Sequence, residues 1–128
     1  MNLDFIQMIE EIRESIAVQP LDPHGPVSNQ KITVCLRKRP LNKKEIEKYD
    51  YDVITIPEGK TTLVHEPKTK VDLSKYIENH EFRFDHAFDD DVKNSTVYRY
   101  TAAPLVKTVF EGGFATCFAY GQTGFGLI

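Results

Sequence analysis

No run in this sequence approaches the ~20 apolar residues that a membrane-spanning helix needs. No charged N-terminal stretch is followed by a long apolar one either, so neither membrane insertion nor a secretory leader is expected. Cysteine is scarce. Cys35 and Cys117 each sit in an apolar, β-prone run, which points to buried reduced thiols rather than a disulfide framework. The four histidines, His24, His65, His80 and His86, lack the H-E-x-x-H or Cys/His spacing of a zinc site, so no metal site built from protein ligands is expected. Positive charge is not in excess. A net charge of −3 gives no global attraction for nucleic acid or anionic membranes, and a polyanionic partner would have to meet a local patch. These absences favour a cytosolic or nuclear globular protein that does not bind nucleic acid.

What is present fits one domain. The chain has 128 residues, 41% of them hydrophobic, which is enough for a single core. Phe5, Ile9, Ile12 and Ile16 recur at helical spacing within residues 3–17, predicting a short amphipathic helix. The stretch Pro20-Leu21-Asp22-Pro23-His24-Gly25-Pro26 breaks regular structure. The division expected is therefore a helix over 1–18, a linker over 19–30 and the domain proper over 31–128.

Within that domain, Ile32–Leu36 reads as a buried strand. The runs 53–56 and 61–64 flank Pro57-Glu58-Gly59-Lys60 and predict a hairpin. Phe82, Phe84, His86 and Phe88 alternate as in a half-buried strand. A helix capped by Asn94 or Ser95 is expected to run to Gly112-Gly113, with Pro104 kinking it or splitting it in two. Ala115–Tyr120 reads as a second buried strand feeding a glycine-rich turn. Asp89-Asp90-Asp91 reads as a solvated loop before the helix, because consecutive side chains diverge.

That turn, Gly121-Gln122-Thr123-Gly124-Phe125-Gly126-Leu127-Ile128, has the glycine frame of a phosphate-binding loop, G-x-x-x-x-G-K-[ST]. In such a loop backbone N–H groups converge on phosphate oxygens, a lysine reaches the β/γ-phosphates and a hydroxyl binds Mg²⁺. Here Leu127 and Ile128 occupy the lysine and hydroxyl positions. Nucleotide hydrolysis by this chain is accordingly not expected, and no residue is assigned a catalytic role. Phe125 puts a bulky side chain within that glycine frame.

Several strings together are more specific than a glycine turn. Ile32-Thr33-Val34-Cys35-Leu36-Arg37-Lys38-Arg39-Pro40-Leu41-Asn42 resembles the first core strand and R-x-R-P-L-N base motif of kinesin motor domains. Phe118-Ala119-Tyr120-Gly121-Gln122-Thr123-Gly124 resembles the strand and P-loop of the same family. Lys70-Val71-Asp72 is similar to the finger of the internal-motor kinesins, the kinesin-13 class, which depolymerise microtubules. The resemblance implies the opening portion of an α/β P-loop NTPase (kinesin motor) fold, with the first helix as part of a neck.

It also implies ATP and Mg²⁺ as cofactors of the intact motor. Arg37 and Pro40 would lie on the adenine with Arg39 beside them, and Gly121–Ile128 would lie at the phosphates. Lys70, Val71 and Asp72 would face tubulin. The implied setting is the cytoplasmic microtubule cytoskeleton, including spindle and centrosome. Against a solvated basic surface, a guanidinium and a proline ring after a strand can sandwich a base, worth roughly 0.5–2 kcal/mol. The competing expectations are a non-catalytic tubulin-binding fragment and a truncated product without function. Exposed strand edges and apolar surface are expected in the absence of the rest of the sheet.

Overall fold

The structure is a computed structural model, described here for residues 3–27 and 30–121. The first helix, α1, spans Leu3–Ser15, ending two residues earlier than its apolar spacing suggested. The Ser15 hydroxyl donates to the Ile12 carbonyl at 2.7 Å, a local bond that competes with continuation of the helix. Ile9 is 1% exposed and anchors the apolar face.

The expected hairpin is present and is part of a larger sheet. Strand β2 (Ile54–Thr55) pairs antiparallel with β3 (Thr61–Thr69), with Ile54 opposite Val64. Strand β3 continues well past β2 and pairs along its whole length with β4 (Lys75–Arg83). Pro67 is tolerated inside β3 for a geometric reason. The His65 N–H two residues earlier points toward β2, bonding Val53 O at 2.8 Å, so the N–H that Pro67 lacks would have faced the open edge beyond β2.

The alternating run 82–88 is not one strand. Strand β4 ends at Arg83, and a new strand, β5 (His86–Phe88), enters a second sheet. There it pairs in parallel with β1 (Cys35–Arg37). The Asp85 carboxylate fixes this junction by accepting from the Val34 N–H at 2.7 Å, while the Asp85 N–H donates to the Val34 carbonyl at 2.9 Å.

The strand expected over Ile32–Leu36 is shorter and less buried than its β-branched composition suggested, and Ile32 is 80% exposed. A two-stranded sheet covers only one edge of β1. Ala115–Tyr120 departs further from expectation: these residues form no strand, and Phe114, Phe118 and Tyr120 are essentially fully exposed. Among the described residues no strand pairs with them, and a β-prone segment without a partner has nothing to bury its faces against.

Cys117 is exposed and Cys35 half-buried, which corrects the expectation of two buried thiols. Burial, with the Asp85 charge adding to it, still pushes the Cys35 thiol up to about 11.

The long helix is split as Pro104 suggested, into α3 (Asn94–Tyr100) and α4 (Ala102–Phe110). Pro104 falls in the first turn of α4, where an N–H has no intrahelical acceptor to lose. The side-chain cap expected at Asn94 or Ser95 is not made; Lys93 is the cap residue and its side chain makes no capping bond. Gly112 follows α4 with φ +89°, the left-handed conformation that glycine adopts freely.

The segment between α1 and β1 is irregular but tied down. Tyr100, which is buried and packs against His86 at 4.9 Å between ring centroids, donates its hydroxyl to the Asp22 carbonyl at 2.6 Å. Arg99 Nη2 donates to the Gly25 carbonyl at 2.8 Å. Tyr100 is buried along with Phe88, Ala87 and Ile56, so these contacts tie the segment to the core.

A methyl group at Gly25 would stand 2.6 Å from the Tyr100 hydroxyl oxygen. Gly25→Ala is therefore expected to lower stability in urea unfolding by about 1–3 kcal/mol. Gly59→Ala meets only the movable end of Leu21 at 2.7 Å and is expected to cost less than half as much. Equal effects would contradict this account of the segment.

Candidate functional site

Strand β1 delivers the R-x-R-P segment to a turn, and each of its cations has a different fate. Arg37, the last strand residue, is exposed, and its Nη2 donates to Asn94 Oδ1 at the start of α3. Asn94 is thereby engaged across the chain rather than in capping its own helix.

Lys38 alternates to the opposite side, and its side chain is only 8% exposed. Its ammonium lies 2.5 Å from Asp52 Oδ2, 3.0 Å from the Ile54 carbonyl, 3.5 Å from Asp89 Oδ1 and 4.0 Å from Asp90 Oδ2. Burial pushes the Asp90 carboxyl above its ordinary value, and Lys38 opposes that shift. The basic run is therefore not a uniformly solvated surface. The Asp89–Asp91 loop is not wholly solvated either, since two of its carboxylates face Lys38.

Arg39 makes a two-pronged bond to Glu45, at 2.8 and 2.7 Å. Glu45 in turn closes a reciprocal cap on α2 (Lys43–Glu47): its carboxylate accepts from the Asn42 N–H at 2.8 Å, and Asn42 Oδ1 accepts from the Glu45 N–H at 2.8 Å. Pro40 lies exposed between these anchors. Arg37, Arg39 and Pro40 thus share one turn whose backbone is held on both sides.

Helix α2 was missed in the sequence, although the Asn42-x-x-Glu45 spacing is a capping-box signal. Lys38, Asp52 and Asn94 were missed as well. The alternation of β1 was the available clue for Lys38, but its partners are too distant in sequence to be read.

Gly121 is exposed and is the last described residue. Gln122, Thr123, Gly124, Phe125, Gly126, Leu127 and Ile128 lie outside the described residues.

Lys70, Val71 and Asp72 stand elsewhere, in the five-residue connection between β3 and β4. Ser74 donates to Asp72 Oδ1 from its N–H at 3.0 Å and from its hydroxyl at 2.6 Å, which holds the Asp72 carboxyl below its ordinary value. The Leu73 N–H bonds the Lys70 carbonyl at 2.9 Å, and Leu73 adopts φ +69°, a conformation that costs a non-glycine residue about 1–2 kcal/mol. Val71 is fully exposed at the tip. Below it the hairpin carries a cross-strand ion pair, Lys68 with Glu78, and a contact of His80 Nε2 with Glu66 Oε2 at 2.6 Å. The result is an apolar point between a cation and an anion at the end of a two-stranded arm, separate from the R-x-R-P turn.

Arg39, and then the Asn42 N–H, hold the Glu45 carboxyl down to about 2. A depressed carboxyl contributes stability above its unfolded value, near 4.3, and loses it as pH falls through the folded one. NMR titration is expected to show Glu45 still ionised at pH 3, and Arg39→Ala to return it toward the ordinary carboxylate range. Titration of Glu45 near 4 in the unaltered chain would contradict the pairing.

Residues 37–127 match the family model described as the kinesin motor domain. The chain is also similar to a solved structure of a fast kinesin, reported with implications for ATPase mechanism and interactions with microtubules. The TM-score is 0.61 and the identity 33%, over 73% of this chain and 24% of that one. The chain thus spans about a quarter of that protein's length, as a mixed α/β portion of its fold. On the match over residues 37–127, this chain belongs to the kinesin motor domain family.

Proposed function

We propose that this chain is part of an internal-motor kinesin whose parent activity is ATP-coupled removal of tubulin from microtubule ends, and that the part present here binds tubulin without turning over nucleotide. The observation that carries the reading is the β3–β4 arm. Lys70, Val71 and Asp72 sit at its tip, Val71 is fully exposed, and the loop is fixed by Asp72, Ser74 and Lys70. An apolar point flanked by opposite charges suits a cleft of mixed charge such as a junction between tubulin subunits. A tip of this size buries far less than the ~1,200 Å² of a stable interface, so binding by this chain is weak. Such a protein works on cytoplasmic microtubules, the spindle and centrosome among them.

The R-x-R-P turn is the proposed base-binding element, with Arg37 and Pro40 against the adenine and Arg39 bracing the turn through Glu45. The phosphate end is different. An aliphatic Leu127 and Ile128 offer neither ammonium nor hydroxyl, so the donor set does not fit Mg²⁺-ATP, and no hydrolytic step follows for this chain.

Tubulin binding tests the reading directly. In sedimentation or fluorescence anisotropy with unpolymerised tubulin, the chain is expected to bind with a Kd of roughly 10 µM or weaker. The combined variant Lys70→Ala, Val71→Ala, Asp72→Ala is expected to lose most of that binding while its thermal unfolding stays unchanged. Undiminished binding by the variant would overturn the role of the finger.

A further inference from the structure

The helix that precedes the motor core and the base-binding turn are joined by a shared pair of acceptors. From α1, Arg13 Nη2 donates to the Asp52 carbonyl at 2.8 Å and to the Ile54 carbonyl at 3.2 Å, and lies 3.6 Å from Asp52 Oδ2. From the R-x-R-P turn, Lys38 Nζ takes the same carboxylate oxygen at 2.5 Å and the same Ile54 carbonyl at 3.0 Å. The other Asp52 oxygen accepts from the Ile54 N–H at 3.0 Å, so the carboxylate cannot swing to follow one cation alone. A third Arg13 hydrogen bond, from Nε to Thr55 Oγ1 at 2.8 Å, fixes the guanidinium on β2.

We propose that Arg13 is a positioning residue for the base-binding turn: docking of α1 sets the placement of Arg37 and Pro40 through Asp52 and the Ile54 carbonyl, to which Lys38 is bound. This rests on the reading of Arg37 and Pro40 as base-binding. Lys38 lies directly between Arg37 and Arg39, and it has little freedom because its ammonium is buried among Asp52, Asp89 and Asp90. Moving the Asp52 carboxylate therefore moves Lys38, and with it the backbone on either side. Release of α1 removes one of the two cations holding Asp52, so the turn loosens when the helix leaves.

The test uses amide hydrogen exchange of the full 128-residue chain. Arg13→Gln is expected to raise exchange at Leu36 and Lys38, the amides in and just after β1 that face β5, roughly tenfold, the size expected on losing one charged hydrogen bond, while the β3–β4 pairing is unaffected. Arg13→Lys, whose ammonium still reaches Asp52, is expected to restore most of the protection. Lys75→Gln loosens the other end of α1, where Lys75 meets Asp4 at 3.1 Å and Phe5 at 5.4 Å, and is expected to leave the turn unchanged. Unchanged exchange in Arg13→Gln, or an equal rise in Lys75→Gln, would overturn the coupling.

A second readout separates this from the base-binding reading. Millimolar ATP is added and the Arg37 side-chain NMR signal followed. If the unaltered chain shows no shift, base binding is overturned while the exchange result still decides the coupling. If it shifts, Arg13→Gln is expected to weaken the response, and an undiminished response overturns the positioning role.

Discussion

The Lys38 ammonium is the constraint on which the arrangement of this chain depends. Burying an unpaired ammonium costs several kcal/mol even after relaxation, so the fold must bring anions to it. It does so from two directions: Asp52 and the Ile54 carbonyl at the entry to β2, and Asp89 and Asp90 after β5. The small parallel sheet and the larger antiparallel one are thereby fixed to each other. The R-x-R-P turn inherits its position from the same contacts, with Arg37 tied outward to α3 and Arg39 to α2.

A second polar seam ties α1 to the antiparallel sheet. Arg13 Nε donates to Thr55 Oγ1, which lies 2.8 Å from His65 Nε2, and His65 Nδ1 lies 2.6 Å from Asn79 Oδ1. His65 is completely buried. Thr55 Oγ1 and Asn79 Oδ1 each stand within hydrogen-bond reach of one ring nitrogen, so both nitrogens have partners. Buried polar groups satisfied in this way add specificity to a sheet whose β2 strand is only two residues long. The same seam places Arg13 where it meets Asp52.

Local signals were the legible part of the sequence. The spacing of Phe5, Ile9 and Ile12 gave α1, the turn at Pro57–Lys60 gave the first hairpin, and Pro104 gave the break between α3 and α4. What failed were statements about burial, because burial depends on neighbours that one segment does not encode. Ile32 and Phe118 have strand-like composition, yet they lie exposed where no strand covers them. The junction at Asp85, where one alternating run serves two sheets, likewise depends on a partner at Val34. At the candidate sites, Arg37, Pro40 and Lys70–Asp72 were singled out from family strings alone, without geometry. The anchors Lys38, Asp52 and Asn94 are long-range pairings and stayed invisible.

The two sites therefore differ in what supports them. The arm with Val71 at its tip is set by strand pairing and a local Asp72–Ser74 turn, whereas the R-x-R-P turn is held through the buried Lys38 ammonium. Urea unfolding of Lys38→Met tests that dependence most directly. Removing the cation leaves Asp89 and Asp90 without their counter-charge and Asp52 with Arg13 alone, and because these carboxylates are partly open to solvent the predicted loss is about 1.5–3 kcal/mol, a sizeable part of the stability of a domain this size. A midpoint unchanged from the unaltered chain would contradict the claim that this ammonium organises the fold.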